Sequence, residues 1–255
     1  MGTITKALEM LNFFSRSQPE LGLSDFVRLS GRDKATVHRH LTELAENGFV
    51  EQNSTTRAYR LGPAILRLTA VREATTPTRS LVRPIVEAMA EDVGELVHFS
   101  LLQGAFLSPI YHKDPGRHGT QVHFDEGEVL PLHATSSGLA VLAFAPDALR
   151  NDVLHGPLTP FTETTVTDPG TLSELIAQTA RTGCARVEKG FDVEVASQAV
   201  PIFGPEGQVT GALAIAVPAG RLTAETEIRH ADALRAGMAR ITAALGGSFP
   251  ETYPA

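Results

Sequence analysis

Lys34, Thr36, His38 and Arg39 fall within a turn and a half of helical spacing in "DKATVHRHL", with His40 beside them. Thr55, Thr56, Arg57 and Arg60 follow in "NSTTRAYRL". Cations and hydroxyls in this mixture suit a nucleic acid. Arg and Thr read base edges, while Arg, Lys, Ser, Thr and Tyr hold phosphates. A third group, Thr135, Ser136, Ser137 and Gly138, stands before the apolar run "LAVLAF". A helix starting there offers an anion its free backbone N–H groups and the positive end of its dipole. The commoner use of Thr135 or Ser136 is to cap that helix.

Other residue types point to rival chemistries. His98, His112, His118, His123 and His133 accompany Asp114, Asp125 and Glu126, so a metal site in the second half, and with it a metal-responsive protein, is one alternative. No H-x-x-x-H spacing on a helix supports it. An enzyme would need a nucleophile with its base, and "TSSGL" is not the G-x-S-x-G elbow. A small-molecule enzyme fused to a DNA-binding domain is the other alternative. The single cysteine, Cys184, excludes an internal disulfide and any Cys-cluster zinc site, and reads as a packed thiol. Nothing in the sequence asks for a cofactor.

These residues need elements to position them. Ile4, Ala7, Leu8, Leu11 and Phe14 predict an amphipathic helix over residues 3–15. Ser24 is placed to cap a second helix that turns Phe26, Val27 and Leu29 inward, with Gly31 ending it. Asp33 caps a third, whose buried face is Val37, Leu41 and Leu44, and Asn47-Gly48 closes it. The outer face then carries Lys34, Thr36, His38, Arg39 and His40. Strands over 49–52 and 57–61 flank a polar tip. Helix, helix, turn, helix, hairpin is a winged helix-turn-helix, whose third helix enters the major groove. Gly62-Pro63 opens a linker helix lined by Ile65, Leu66, Leu68 and Val71.

Beyond residue 79 the pattern changes. A long helix contains Pro84, and strands follow over 96–102 and 105–111. Helices are expected over Ser136–Phe144, over 146–154, and after the Asp168 cap with Gly183 at its end. "GPEG" joins strands Val195–Phe203 and 209–217, and Thr223 caps a last helix. The fold class is α+β. The expected domains are a DNA-binding domain at 1–61, a linker helix at 62–78 and a sensor-like domain at 79–255.

The chain has 255 residues and a formal net charge of −7, yet residues 1–75 hold ten Lys/Arg against eight Asp/Glu. A mildly basic head on an acidic body fits a DNA-binding domain joined to something else. No apolar run approaches the roughly 20 residues that span a bilayer, and residues 1–10 lack a signal-peptide core, so the cytoplasm is expected and no membrane contact.

"TVHRHLTELAENGFVE" with "YRLG", "LPLHATSSGLAVLAF", "VTDPGTL" and "GPEGQVTGALAIAVPAGRLT" occur in that order. In this the chain, from Ile4 to about Leu245, resembles the isocitrate-lyase-regulator (IclR) family of bacterial transcription factors. The resemblance implies a winged-helix domain, a linker helix and a GAF/PAS-like effector-binding domain. It implies homodimers, often paired into dimers of dimers, that bind operator DNA and respond to small organic acids or aromatic catabolites. It also implies a pocket built from Leu132, His133, Ala134, Ser136, Ser137, Gly138 and Leu139, from the segment containing Glu188, Phe191, Asp192 and Ser197, and from the strand with Ala214 and Ala216. Members often read Y-E-P-G-V-R-C where this chain reads "FDVEVAS", so Ser197 replaces a Cys and Phe191 a Tyr. Ala214 and Ala216 stand where Ser is common. The two missing hydroxyls argue against a glyoxylate- or pyruvate-like effector. They favour a larger, more apolar acid such as an aromatic one, with Leu132 and Phe191 packed on its body.

Overall fold

The computed structural model describes residues 2–254. Met1 and Ala255, at the outer limits of the expected first and last domains, lie outside it. Two compact units divide between Pro77 and Thr78.

In the first unit, α1 (Thr3–Leu8) passes into a 3-10 turn at Glu9–Phe13. The predicted helix is therefore cut short, and its apolar face is rotated. Met10 and Phe14 are buried, whereas Ile4 is 77% exposed and Leu8 48%. Helix α2 (Leu23–Ser30) starts one residue before the expected Ser24 cap. The Gly22 N–H donates to Asp25 Oδ2 (3.0 Å), so the carboxylate at the third helical position satisfies the entry. Only Phe26 of the three expected residues is fully buried. Gly31, at φ 63°, ends the helix in the left-handed conformation. Asp33 caps α3 (Lys34–Glu46) by accepting the Thr36 N–H at 2.9 Å, and this backbone bond holds its carboxyl below the ordinary range. Strands β1 (Val50–Gln52) and β2 (Tyr59–Leu61) are shorter than predicted and pair antiparallel. Phe26 meets Phe14 and Tyr59 edge-on at the centre of this small core. Helix α4 (Ala64–Thr75) groups with this unit and buries only Ala64.

The second unit opens with α5 (Thr78–Val93), which contains Pro84 and buries Val82, Val86, Met89 and Val93. Its sheet holds β3 (Leu96–Gln103), β4 (Phe106–Lys113), β5 (Leu130–Pro131), β6 (Ala185–Glu188), β7 (Val195–Phe203) and β8 (Val209–Pro218). The order is β5-β4-β3-β8-β7-β6, antiparallel at every pair. The short outer strands β5 and β6 were not expected from the sequence. Between them run α6 (Ser136–Phe144), α7 (Asp147–Leu154) and α8 (Pro169–Thr182), and the chain closes with α9 (Ala224–Ala244). The Asp168 cap, the left-handed Gly183 and the Thr223 cap stand where the sequence puts them.

Side-chain alternation on β8 separates two faces. A side chain at Gly237 of α9 would strike Met89 of α5 and Leu213 of β8, which places both helices on the Leu213 face. Helix α6, backed by α8, lies on the other, where Ser197 and Ala216 pair across β7 and β8. An α+β unit with a curled antiparallel sheet results.

Candidate functional site

The first candidate surface lies on α3 and the hairpin. Val37, Leu41 and Leu44 fasten α3 to the core, so the opposite side exposes Lys34, His38 and Arg39, with Thr36 half-buried. Ala35 and Thr42 share that exposed side, and the sequence did not single them out. His40 was expected on the outer face but is 3% exposed. Burial, helped by Arg39, Arg32 and Lys6, holds its imidazole below the usual range, so it is a neutral packing residue.

At the tip, Asn53 Oδ1 accepts from the N–H groups of Thr55 (2.9 Å) and Thr56 (3.1 Å), which leaves both side chains exposed. Arg57 sits at φ 61° with its N–H on Asn53 O and its carbonyl on Gln52 Nε2. Arg57 forms no ion pair among the described residues. Arg60 differs from what the sequence suggested. Its Nε is 2.5 Å from Glu51 Oε1, and Glu20 lies 4.0 Å away, so much of its charge is already answered.

The second candidate is a cavity of about 90 Å³ between the sheet, the start of α6 and the segment 122–128. Of the residues the resemblance implied, Ala134, Ser136, Ser137, Phe191, Asp192, Ser197 and Ala216 line it. Leu132, His133, Gly138, Leu139, Glu188 and Ala214 do not. Leu132 and Leu139 belong to the core. His133 Nε2 bonds Thr159 O at 3.0 Å. A side chain at Gly138 would lie 2.2 Å from Leu132 O, so this glycine permits close backbone packing. Glu188 is exposed and ion-paired with Arg186 at 3.0 Å. Ala214 is covered because it pairs with His98, whose ring stands on the same face. The room that an alanine there would leave for a ligand is therefore occupied by an imidazole.

The α6 terminus is partly used. Thr135 Oγ1 caps the helix by accepting the Gly138 N–H at 3.0 Å. The N–H groups of Ser136 and Ser137 have no acceptor among the described residues. Ser136 Oγ donates to Ser197 Oγ at 2.8 Å, which frees the Ser197 proton for another acceptor. Ser137 is 1% exposed, and its hydroxyl makes no hydrogen bond among the described residues.

Sequence reasoning missed His98 as cavity floor, and Phe124, Asp125 and Glu128 as its cover. Phe124 lies against His98 at 4.5 Å between ring centroids. Burial pushes His98 down to about 3, with His112 adding to it, so the floor is a neutral imidazole. The cover is anchored from behind. Glu126 pairs with His112 Nδ1 (2.9 Å) and with Arg79 (3.3 Å), and Arg79 also donates to Ile110 O. The other histidines are dispersed in the same way, His118 facing Glu95 at 3.6 Å. Among the described residues no three His, Cys, Asp or Glu side chains come together to hold a metal ion. Cys184 is half-buried and its thiol is pushed up to about 11 by burial, as befits a packed residue.

Residues 3–54 match the IclR helix-turn-helix domain, and residues 74–243 match the C-terminal domain of bacterial IclR transcriptional regulators. The glycerol operon regulatory protein of Streptomyces coelicolor is 30% identical over 231 residues, covering 89% of each chain. The transcriptional repressor IclR of Escherichia coli is 24% identical, covering 96% of this chain and 90% of that one. The crystal structure of a regulator from Silicibacter sp. TM1040, assigned to the IclR class, has 46% identity and a TM-score of 0.91 with all of both chains covered. An IclR homologue from Microbacterium hydrocarbonoxydans, crystallised with 4-hydroxybenzoate, has 25% identity and a TM-score of 0.75, covering 96% of this chain and 99% of that one. With both domain models matched in order, the chain belongs to the IclR family, and is a DNA-binding transcriptional regulator with an effector domain rather than an enzyme.

Proposed function

We propose that this regulator controls a catabolic operon in response to a small organic acid that binds in the cavity beside α6. The observation that carries it is the pair of unanswered N–H groups of Ser136 and Ser137 at the cavity wall, with the buried Ser137 hydroxyl beside them. Together they supply three donors and a helix dipole to a carboxylate, and Ser197 can add a fourth. Relatives named as glycerol and Pca operon regulatory proteins support the catabolic role. The 4-hydroxybenzoate bound to the Microbacterium homologue supports an acid as ligand. The volume narrows the earlier preference for a bulky effector. A cavity that holds benzene measures about 150 Å³, so an aromatic acid here needs the cover at 122–128 to give way, whereas a compact acid fits as it stands.

On the DNA side, Lys34, Thr36, His38 and Arg39 face the major groove, and Thr55, Thr56 and Arg57 meet the backbone, with Arg60 a weaker contributor. Two such domains in a homodimer, itself able to pair into a dimer of dimers, bind a roughly palindromic operator with half-sites about 10 bp apart or a multiple of that.

Fluorescence anisotropy with a fragment of the protein's own promoter region tests this. Titrating carboxylic acids of two to eight carbons is expected to change operator affinity. Ser137→Ala should weaken the active acid about tenfold, as loss of a charge-assisted hydrogen bond does. If Ser137→Ala and Ser197→Ala both respond like the parent, the carboxylate lies elsewhere.

A further inference from the structure

We infer that His98 reads an uncharged oxygen, keto or hydroxyl, at the end of the effector away from its carboxylate; this rests on the carboxylate position just proposed. The cavity has two polar poles. One is the group of donors at the start of α6. The other is the edge of the His98 imidazole, which lines the cavity from β3. His98 is 4% exposed, and Phe124 covers its ring with centroids 4.5 Å apart. Nδ1 lies 3.4 Å from Ser100 Oγ. Nε2 has no partner among the described residues and, unlike the unpartnered Nε2 of His230, is not sealed off. A polar atom at a cavity wall with nothing to bond is a place for a ligand atom.

The neighbouring hydroxyl decides which kind of atom that is. Ser100 is 0% exposed, and among the described residues its hydroxyl bonds only to His98 Nδ1. A buried hydroxyl gives its proton to the acceptor it has, and a neutral imidazole has one nitrogen of each kind. Nδ1 therefore accepts, and Nε2 carries the proton as a donor. Burial keeps the ring neutral. A second carboxylate at this pole would find no counter-charge, since among the described residues no Lys or Arg lines the cavity. A buried charge needs such a partner, whereas an uncharged oxygen does not.

The sheet sets the separation between the poles. Ser197, Ala216 and Leu96 are in register across β7, β8 and β3, and His98 stands two residues beyond Leu96 on the same face. Strand spacing and rise put the Cα atoms of Ser197 and His98 about 12 Å apart. The second oxygen therefore lies several bonds from the carboxylate and not on the adjacent carbon. An acid without it would leave the Nε2–H desolvated and unpaired, which is how such a site discriminates.

Calorimetry on the full-length protein tests this. The probes are butyrate and valerate, their 2-oxo and 2-hydroxy forms, 4-hydroxybutyrate, 5-hydroxyvalerate and levulinate, with succinate and glutarate as dianions. At least one acid with the distal oxygen should bind about tenfold tighter than its unsubstituted parent. The 2-substituted acids and the dianions should bind no tighter than the parent. His98→Phe keeps an aromatic ring against Phe124 and removes the donor. It should reduce the preference to about twofold or less while holding the parent acid's affinity within about threefold. Nitrogen chemical shifts of the imidazole that Ser100→Ala perturbs should show the proton on Nε2 in the free protein; a proton on Nδ1 would overturn the donor. Distal oxygens that add nothing, while Ser137→Ala weakens every acid, would leave the serine site standing and overturn the role of His98. A preference that survives His98→Phe would overturn it as well. Should no acid bind, the carboxylate position falls and this inference with it.

Discussion

Arg57 holds a left-handed backbone, φ 61°, that costs a residue with a side chain about 1 kcal/mol. Glycine would relieve that strain, and a residue kept there against it is a candidate for function. Arg57→Gly is expected to leave unfolding stability unchanged or raise it by up to about 1 kcal/mol. The same change should weaken operator binding for all sequences and reduce the salt slope by about one. Denaturant melts and DNA titrations at several salt concentrations check both halves, and unaltered DNA affinity would remove Arg57 from the interface. A second prediction concerns pH. Burial lowers His98 to about 3 and His230 to about 4, both from 6.5. The folded protein keeps them neutral while the unfolded chain protonates them below about pH 6.5. Their contribution is therefore complete above that pH and is lost as pH falls toward 4, by about 1.4 kcal/mol per unit for each. Urea titrations between pH 7 and 5 should show a shallower slope for His98→Gln. A slope equal to the parent's in both His98→Gln and His230→Gln would mean that neither ring is held neutral. Individual residues were also where the sequence was hardest to read. The sequence offers His98 and Asp125 only as candidates for an alternative metal site, because placing His98 on a strand does not tell that the segment with Asp125 folds over it.

Elements were more legible where local chemistry fixes an end. Asp33, Asp168, Thr223 and Gly183 mark helix boundaries by bonds within one turn, and such bonds leave a signature in the sequence. Strands β5 and β6 have two and four residues and owe their existence to pairing partners, β4 and β7, that stabilise them from outside. Periodicity over so few residues carries little information. Helix α1 failed differently, because its apolar residues are real but face solvent in the single chain. Helix α4 shares that property. Leu66 is 75% exposed, Val71 55% and Leu68 42%. Exposed apolar residues on one helix are the kind that another molecule covers, and the homodimer proposed above would bring a second copy to α4. The double change Leu66→Glu with Val71→Glu should alter the unfolding free energy of the isolated chain by no more than about 0.5 kcal/mol. It should nevertheless shift the sedimentation profile toward monomer and weaken operator binding. Unchanged sedimentation would place the dimer contact elsewhere.

At the scale of the whole molecule, regulation requires that effector and operator bias the same equilibrium. Whatever factor the effector imposes on operator affinity, the operator must impose on effector affinity, and an effector with equal affinity for both states shifts nothing. The cover of the cavity is suited to report occupancy, since Glu126 ties it to Arg79 in the first turn of α5. The sheet that carries the cavity has a further property. Its two hairpins, β3–β4 and β7–β8, form from neighbouring segments, but they are joined through β3 and β8, where Val97 pairs with Ile215. Contacts so distant along the chain form slowly, because the intervening loop must be closed before any pairing rewards it. During synthesis the helix-turn-helix unit, with its local contacts, has all its residues long before β8 emerges. A nascent chain can thus own a finished DNA-binding head while β3 still presents an open edge, the kind of surface that recruits chaperones or aggregates.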